Sequence, residues 1–281
     1  MIPKLIIQTG PADRPLRLKA AVANVKLLHP EFEYLFFDDA RVEAFIHEQC
    51  AEWRDAFRSF RFKIQRYDFF RYLAVYCYGG FYLDLDVFLA EEVTPLLSSE
   101  CVFSFEELTD SKFFWERFRM DWQIGNFAFG AEPGHPFLKA IIENCLQATR
   151  DPAWVRPMMK WIPKPFYDEL YILNTTGPGL VSRTFAENQT LAERVTVLFP
   201  DDVRDPRSWH QFGTFGVHDM IGSWRNRESL LSLRLRRLWE GWRYRRTLAN
   251  SRSRGKTREG ASADMLMSCP RRTSEPGLGQ D

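Results

Sequence analysis

Cysteine is scarce and scattered in this chain. The five present, Cys50, Cys77, Cys101, Cys145 and Cys269, are odd in number and widely spaced, and no Cys-x-x-Cys occurs. That pattern argues against a disulfide framework and a structural zinc site, and it fits a reducing compartment. Long apolar runs are missing as well. Nowhere do eighteen apolar residues follow one another, so no membrane-spanning helix is expected. The opening MIPKLIIQTG has only Leu5, Ile6 and Ile7 as an apolar run, too short for a signal peptide. The expectation is a cytoplasmic chain, or one held peripherally on the inner face of a membrane. No internal repeat is present. Net charge is nearly absent at +1, but the average hides two unlike parts. The stretch from Arg225 to Arg258 holds twelve Lys or Arg and two Glu, which leaves the remainder at −9. An acidic body with one basic segment does not suit nucleic acid; it suits cations on the body and an anionic surface at the tail.

What is there is a chain of 281 residues, 45% hydrophobic, long enough for one large domain. KLIIQT reads as a buried first strand ended by Gly10 and Pro11, and LRLKAAVANVKLLHP as a helix stopped near Pro30. FEYLFFDD is a second strand with Asp38 and Asp39 at its end. Helical patterns run from Arg41 to about Phe60 and from Lys63 to Tyr78. GGFYLDLDV, CVFSF, NFAFG and VTVLFP are further strands, and PFLKAIIENCLQAT is a helix. Strands alternating with helices predict an α/β domain with a largely parallel sheet, whose ligands bind beyond the carboxyl ends of the strands.

One of those ends, FYLDLDV, carries Asp84 and Asp86 inside an apolar run. Carboxylates there are costly unless paired. Strand alternation puts Phe81, Leu83, Leu85 and Val87 on a packed face, and Tyr82, Asp84 and Asp86 on a cleft face. The two carboxylates would then stand about 7 Å apart and would repel without a cation between them. Hard divalent cations such as magnesium or manganese take oxygen ligands of this kind, shared with phosphate. On the preceding helix, Asp68 and Arg71 share a face, which an ordinary intrahelical ion pair would also explain. Gly79 can end that helix and Gly80 can turn it into the strand, so Asp68, Arg71, Asp84 and Asp86 form one constellation.

The stretch DFFRYLAVYCYGGFYLDLDV resembles the Asp-x-x-Arg … Gly-Gly-x-Tyr-x-Asp-x-Asp signature of glycosyltransferase family 32. IPKLIIQTG resembles that family's opening segment, with Ile7 where His is common. NFAFGAEPGHPFL, TTGPG and HDMIGSW resemble its later segments, in family order from Ile2 to Trp224. The resemblance implies a GT-A-type nucleotide-sugar-binding fold with a mostly parallel central sheet. It also implies a UDP- or GDP-linked sugar donor, a divalent metal (Mn2+ or Mg2+), and transfer with retention to a glycan or glycolipid acceptor. Carried over, Asp86 would bind the metal, and Asp84 would contact the donor and the metal shell. Asp68 and Arg71 would hold the donor sugar and nucleotide, Tyr82 would line the same face, and His218 would be a further metal ligand or a phosphate contact. Ser223 and Trp224 would close over the diphosphate, Gln8 and Thr9 would lie near the base, and Asn126 would lie on the acceptor side.

Two other classes compete. A haloacid-dehalogenase-like phosphatase also ends a strand in Asp-x-Asp, but the expected Thr or Gly-Thr after Asp86 is absent. A non-catalytic nucleotide-sugar-binding module would bind the donor without turnover. The domain division expected is a catalytic domain over 1–225, a basic amphipathic helix over 226–249 and a disordered tail over 250–281. In the helix, Leu231, Leu235, Leu238, Trp239 and Trp242 form a stripe flanked by Arg. The stripe suits either an anionic membrane surface or docking on the domain.

Overall fold

The computed structural model describes residues 1–160, 164–220 and 241–251. Its elements begin with β1 (Leu5–Thr9), α1 (Leu16–Leu28), β2 (Glu33–Phe37), α2 (Asp39–Glu48), α3 (Arg54–Ser59), α4 (Lys63–Tyr78), β3 (Gly80–Leu83) and β4 (Val87–Leu89). They continue with β5 (Cys101–Leu108), α5 (Lys112–Phe118), β6 (Trp122–Ala131), α6 (Pro136–Arg150) and α7 (Pro152–Val155). The last are α8 (Tyr167–Thr175), α9 (Pro178–Glu187), α10 (Gln189–Ala192), β7 (Thr196–Leu198), β8 (Gln211–Phe212) and β9 (Gly216–His218).

A six-stranded sheet in the order β2-β1-β3-β6-β5-β7 forms the centre, and a three-stranded sheet, β4-β9-β8, continues from it. β1 pairs parallel with β2 and β3, and β5 with β7, while β6 runs antiparallel to both its neighbours. One reversed strand in an otherwise parallel sheet is the mixed α/β architecture the element order predicts. Alternation along β1 sends Leu5 and Ile7 to one face and Ile6 to the other. The first face is covered by α2, α4, α6 and α9 through residues such as Phe45, Phe70, Phe137 and Leu180. The second packs on α1 through Val25 and gathers Phe81, Leu83, Val87 and Phe212. Burial on both faces explains why β1 is apolar without alternation.

The long helix expected from Arg41 to Phe60 is two helices. A 3₁₀ turn over Ala51–Trp53 separates them, which brings Phe57 and Phe60 into the same core as Phe45. The acidic pair at the end of β2 also has local partners. Asp38 caps α2 by accepting from the Arg41 amide at 2.9 Å, and Asp39 pairs with Lys63.

Gly79 and Gly80 make the corner between α4 and β3. Gly79 donates to Val75 O at 2.8 Å and sits at φ 70°, ψ −164°, a region that essentially only glycine occupies. Gly80, at φ 88°, lies so close to β1 that a Cβ would come within 2.5 Å of Leu5 O. Gly80→Ala is therefore expected to lower stability by about 1–3 kcal/mol, as a drop in the urea midpoint at unchanged slope.

Residues 241–251 are helical and rest on the domain. Arg243 grips Glu107 with two bonds of 2.7 and 2.8 Å, Arg246 reaches Asp110 at 3.0 Å, and Tyr244 meets Trp209 edge-on. Trp242, assigned to the apolar stripe, is half exposed, and Arg243 faces the domain in its place because Glu107 is there to receive it. The rest of the expected helix and nearly all of the expected tail lie outside the described residues. No helix among the described residues is long and apolar enough to cross a membrane.

Candidate functional site

The strand that delivers the two aspartates stops earlier than alternation predicts. β3 ends at Leu83, and Val87 N donates to Asp84 O at 3.1 Å, so Asp84 to Val87 form a tight turn. Long-range contacts hold this turn open as a loop of fixed shape. Asp84 N donates to Phe127 O at 2.7 Å, Asp219 N donates to Asp86 O at 2.9 Å, and Val87 pairs with His218 in β9. Asp84 and Asp86 thus converge instead of standing a strand-length apart. Their carboxylate oxygens and a ring nitrogen of His218 all lie within 4.8 Å of one another. His218 Nε2 is 3.1 Å from Asp86 Oδ1 and 4.0 Å from Asp84 Oδ2, and the ring stacks on Phe127 at 4.6 Å. Two carboxylates and an imidazole aimed at one point fit a divalent cation. Burial alone would push the His218 pKa down, but the hydrogen bond to Asp86 and the charges of Asp84, Asp86 and Glu106 outweigh it and raise it.

Behind this cluster lies a buried polar network on α4. Arg71 Nη2 reaches Asp68 Oδ1 at 3.2 Å and Asp84 Oδ1 at 3.3 Å, while Nη1 donates to Asn126 O at 2.9 Å. Asp68 and Arg71 are each only 5% exposed. The Thr176 hydroxyl donates to Asp68 Oδ2 at 2.8 Å, the Asn126 amide to Asp68 Oδ1 at 3.3 Å, and the Tyr82 hydroxyl to Asp84 Oδ1 at 2.8 Å. Burial pushes the carboxyls of Asp68 and Asp84 above the usual range, with Arg71 opposing it in both. Arg71 Nε is buried and has no partner, so one donor of the guanidinium is uncommitted.

A third group adjoins the site from β5. Ser104 Oγ, Glu106 Oε2 and His210 Nδ1 are all buried without a hydrogen-bond partner, although His210 Nδ1 lies 3.2 Å from Glu106 Oε1. Ser104 and Glu106 meet at Gly125, where a Cβ would stand 2.5 Å from Ser104 Oγ and 2.6 Å from Glu106 Oε2. His210 holds φ 59°, unusual for a residue other than glycine, and its carbonyl accepts from His218 N at 3.0 Å. Burial works against the Glu106 charge, but His210, His218 and Arg243 hold its carboxyl below the usual range. Adjacent unpartnered polar atoms in a native interior call for a ligand or water.

The structure therefore brings together Asp68, Arg71, Tyr82, Asp84, Asp86 and His218. Asn126, expected on the acceptor side, is instead inside the network, its amide on Asp68 and on the Tyr72 hydroxyl at 2.9 Å. Gln8 and Thr9, expected near the base, have their polar atoms engaged by the scaffold. Gln8 Nε2 donates to Leu83 O and Asp84 O, Gln8 Oε1 accepts from Tyr34, and Thr9 Oγ1 donates to Phe37 O. Gln8 is thus a brace for the aspartate turn. Ser223 and Trp224 lie outside the described residues. Tyr72, Ser104, Glu106, Thr176 and His210 were given no role from the sequence; of these Thr176, inside the TTGPG segment, and Glu106 with its neighbour Glu107, charges inside an apolar strand, left a sequence signal.

Residues 15–103 match the family described as the glycosyltransferase sugar-binding region containing the DXD motif. The inositol phosphoceramide mannosyltransferase 3 of Schizosaccharomyces pombe is 25% identical over 239 residues, covering 79% of this chain and 60% of that protein. The mannosyl phosphorylinositol ceramide synthase CSH1 of Saccharomyces cerevisiae is 27% identical over 65% of this chain and 42% of its own length. This chain therefore spans less than two thirds of either relative. Among solved structures, the PaToxG glycosyltransferase aligns with a TM-score of 0.43 at 11% identity, covering 68% of this chain and 73% of that one. The galactosyltransferase LgtC aligns at 0.37 and 16%, covering 70% and 74%.

Proposed function

We propose that this chain is a DXD-containing glycosyltransferase of family 32 and that it transfers a mannosyl residue from a GDP-linked donor to a glycolipid acceptor. The observation that carries this reading is the convergence of Asp84, Asp86 and His218 in front of the buried Arg71–Asp68 pair. The names of the mannosyltransferase relatives support the sugar and the inositol-phosphate lipid class of the acceptor. Retention of configuration and a GT-A-type scaffold are what the family resemblance implies.

Asp84, Asp86 and His218 would hold the cation. Their mixed oxygen and nitrogen donor set suits manganese better than magnesium, which takes oxygen ligands. When bound, the cation supplies Lewis-acid neutralisation of the diphosphate leaving group. The chain's own residues do the rest. Tyr82 and Arg71 fix the orientation of Asp84, so the carboxylate need not reorganise during transfer. Beside Asp84, the Arg71 guanidinium supplies fixed positive charge against the negative charge that would develop on the leaving group. Glu106, Ser104 and His210 form the acceptor side, with unpartnered polar atoms for a sugar or inositol hydroxyl. A phosphatase reading is less favoured: it needs one Asp as a free nucleophile, and Asp84 Oδ1 is already held by Tyr82 and Arg71.

The test is a panel of UDP- and GDP-linked sugars with Mn2+ or Mg2+, read as hydrolysis and as transfer to vesicles carrying an inositol-phosphate lipid. Metal-dependent turnover of GDP-mannose, with mannosylated lipid as product, is the expected result. No turnover of any donor with either metal overturns the reading. In the same assay Glu106→Gln is expected to lower transfer to lipid by about 10²-fold while hydrolysis persists. Equal loss of both would remove Glu106 from the acceptor side.

A further inference from the structure

Cys50 and Cys77 are 27 residues apart in sequence, yet their sulfurs lie 3.8 Å from each other. Cys50 is buried just beyond α2, and Cys77 is exposed in the last turn of α4. The other described cysteines, Cys101 and Cys145, are both buried. A buried thiol in contact with an exposed one is the arrangement that disulfide exchange requires, with one sulfur accessible to the oxidant and the second within reach to resolve it. The hydrogen bond between them holds Cys77 below the ordinary thiol range and, with burial, pushes Cys50 up. That polarity favours Cys77 as the attacking sulfur.

We propose that Cys50 and Cys77 form a disulfide-exchange site that takes a small-molecule disulfide such as oxidised glutathione. The Cys77 thiolate attacks one sulfur of the oxidant, forming a mixed disulfide and releasing one molecule of thiol. Cys50 then gives up its proton and attacks the Cys77 sulfur, releasing the second molecule of thiol and leaving a Cys50–Cys77 bond. Two protein thiols are oxidised, one small disulfide is reduced, and the two thiol protons leave on the two released thiols. Forming the bond brings the two sulfurs from 3.8 Å to about 2 Å. The bridge would tie the end of α2 to α4, the helix that carries Asp68 and Arg71 and enters β3 through Gly79 and Gly80. It is independent of the glycosyltransferase reading.

The test uses the full chain treated with oxidised glutathione, then alkylation and peptide mapping. A Cys50–Cys77 cross-linked peptide that dithiothreitol reverses, with a melting temperature raised by several degrees, is expected. Cys50→Ser is expected to stop at the glutathione adduct on Cys77, and Cys77→Ser to leave Cys50 unmodified. A stable glutathione adduct on Cys77 in the unaltered chain, with Cys50 still alkylatable after denaturation, overturns the proposal. So does an absence of any reaction at Cys77 in the folded protein.

Discussion

Asp86→Asn is expected to lower metal-dependent turnover of the nucleotide sugar by roughly 10²–10³-fold while leaving the fold in place. The expectation rests on a separation between side chain and backbone at this position. The turn that presents Asp86 is fixed by main-chain bonds, Val87 N to Asp84 O and Asp219 N to Asp86 O, which asparagine preserves. The carboxylate itself points to His218 Nε2 at 3.1 Å, within the only three-ligand cluster found among the described residues. Asparagine keeps the shape and removes the charge. Turnover should fall, affinity for Mn2+ should weaken in calorimetry, and the melting temperature without metal should barely move. Unchanged turnover and unchanged Mn2+ affinity would take the cation away from this cluster.

The same experiment has a pH signature. The His218 pKa is raised by Asp86, Asp84 and Glu106 despite burial, so the imidazole of the metal-free protein holds its proton further into the neutral range than a free histidine. A cation must displace that proton. Mn2+ affinity is therefore expected to weaken by up to about tenfold per unit as pH falls below the raised His218 pKa, and to level off above it. His218→Gln should bind more weakly and lose most of that slope. A slope identical in the two proteins would exclude His218 as a ligand.

Much of this site was legible because its signals are local. Apolar periodicity and the Gly-Gly pair place α4 at Lys63–Tyr78 and start β3 at Gly80, so Asp68, Arg71, Asp84 and Asp86 are read together. What the sequence conceals is whatever distant partners decide. Asp84 and Asp86 turn instead of alternating because β9, some 130 residues on, pairs with Val87 and pins the Asp86 carbonyl. Asp68 looks like half of an intrahelical pair, but Thr176, 108 residues away, takes its second oxygen. Gln8 lies at the end of a strand where ligands bind, and it is diverted by two carbonyls of the neighbouring strand and turn. Glu106 presented the same signal as Asp84, a carboxylate inside an apolar run, without a flanking motif to single it out. His210 gave none, since its importance comes from a backbone angle and from the carboxylate it meets.

Arg71→Met is expected to lower stability by about 3–5 kcal/mol, measured as urea unfolding without metal. The guanidinium bridges Asp68, Asp84 and the Asn126 carbonyl in a setting where all three are largely removed from water. Methionine fills much of the volume, so the loss comes from the charges left behind rather than from a cavity. Asp68 would retain the Thr176 hydroxyl and the Asn126 amide, which offset part of the burial of its charge but none of its sign. The double variant Asp68→Asn with Arg71→Met removes that stranded charge. It is expected to be more stable than Arg71→Met alone, with a coupling of about 0.5–3 kcal/mol. Arg71→Lys should fall between, because a single ammonium cannot reproduce the planar fork that meets Asp68, Asp84 and Asn126 together. If Arg71→Met costs less than about 1 kcal/mol, the network is solvated and the pair is a surface-type bridge. If the double variant is no better than the single one, the loss comes from Asp84, and Arg71 then acts as the positioning residue for the aspartate turn more than as the partner of Asp68.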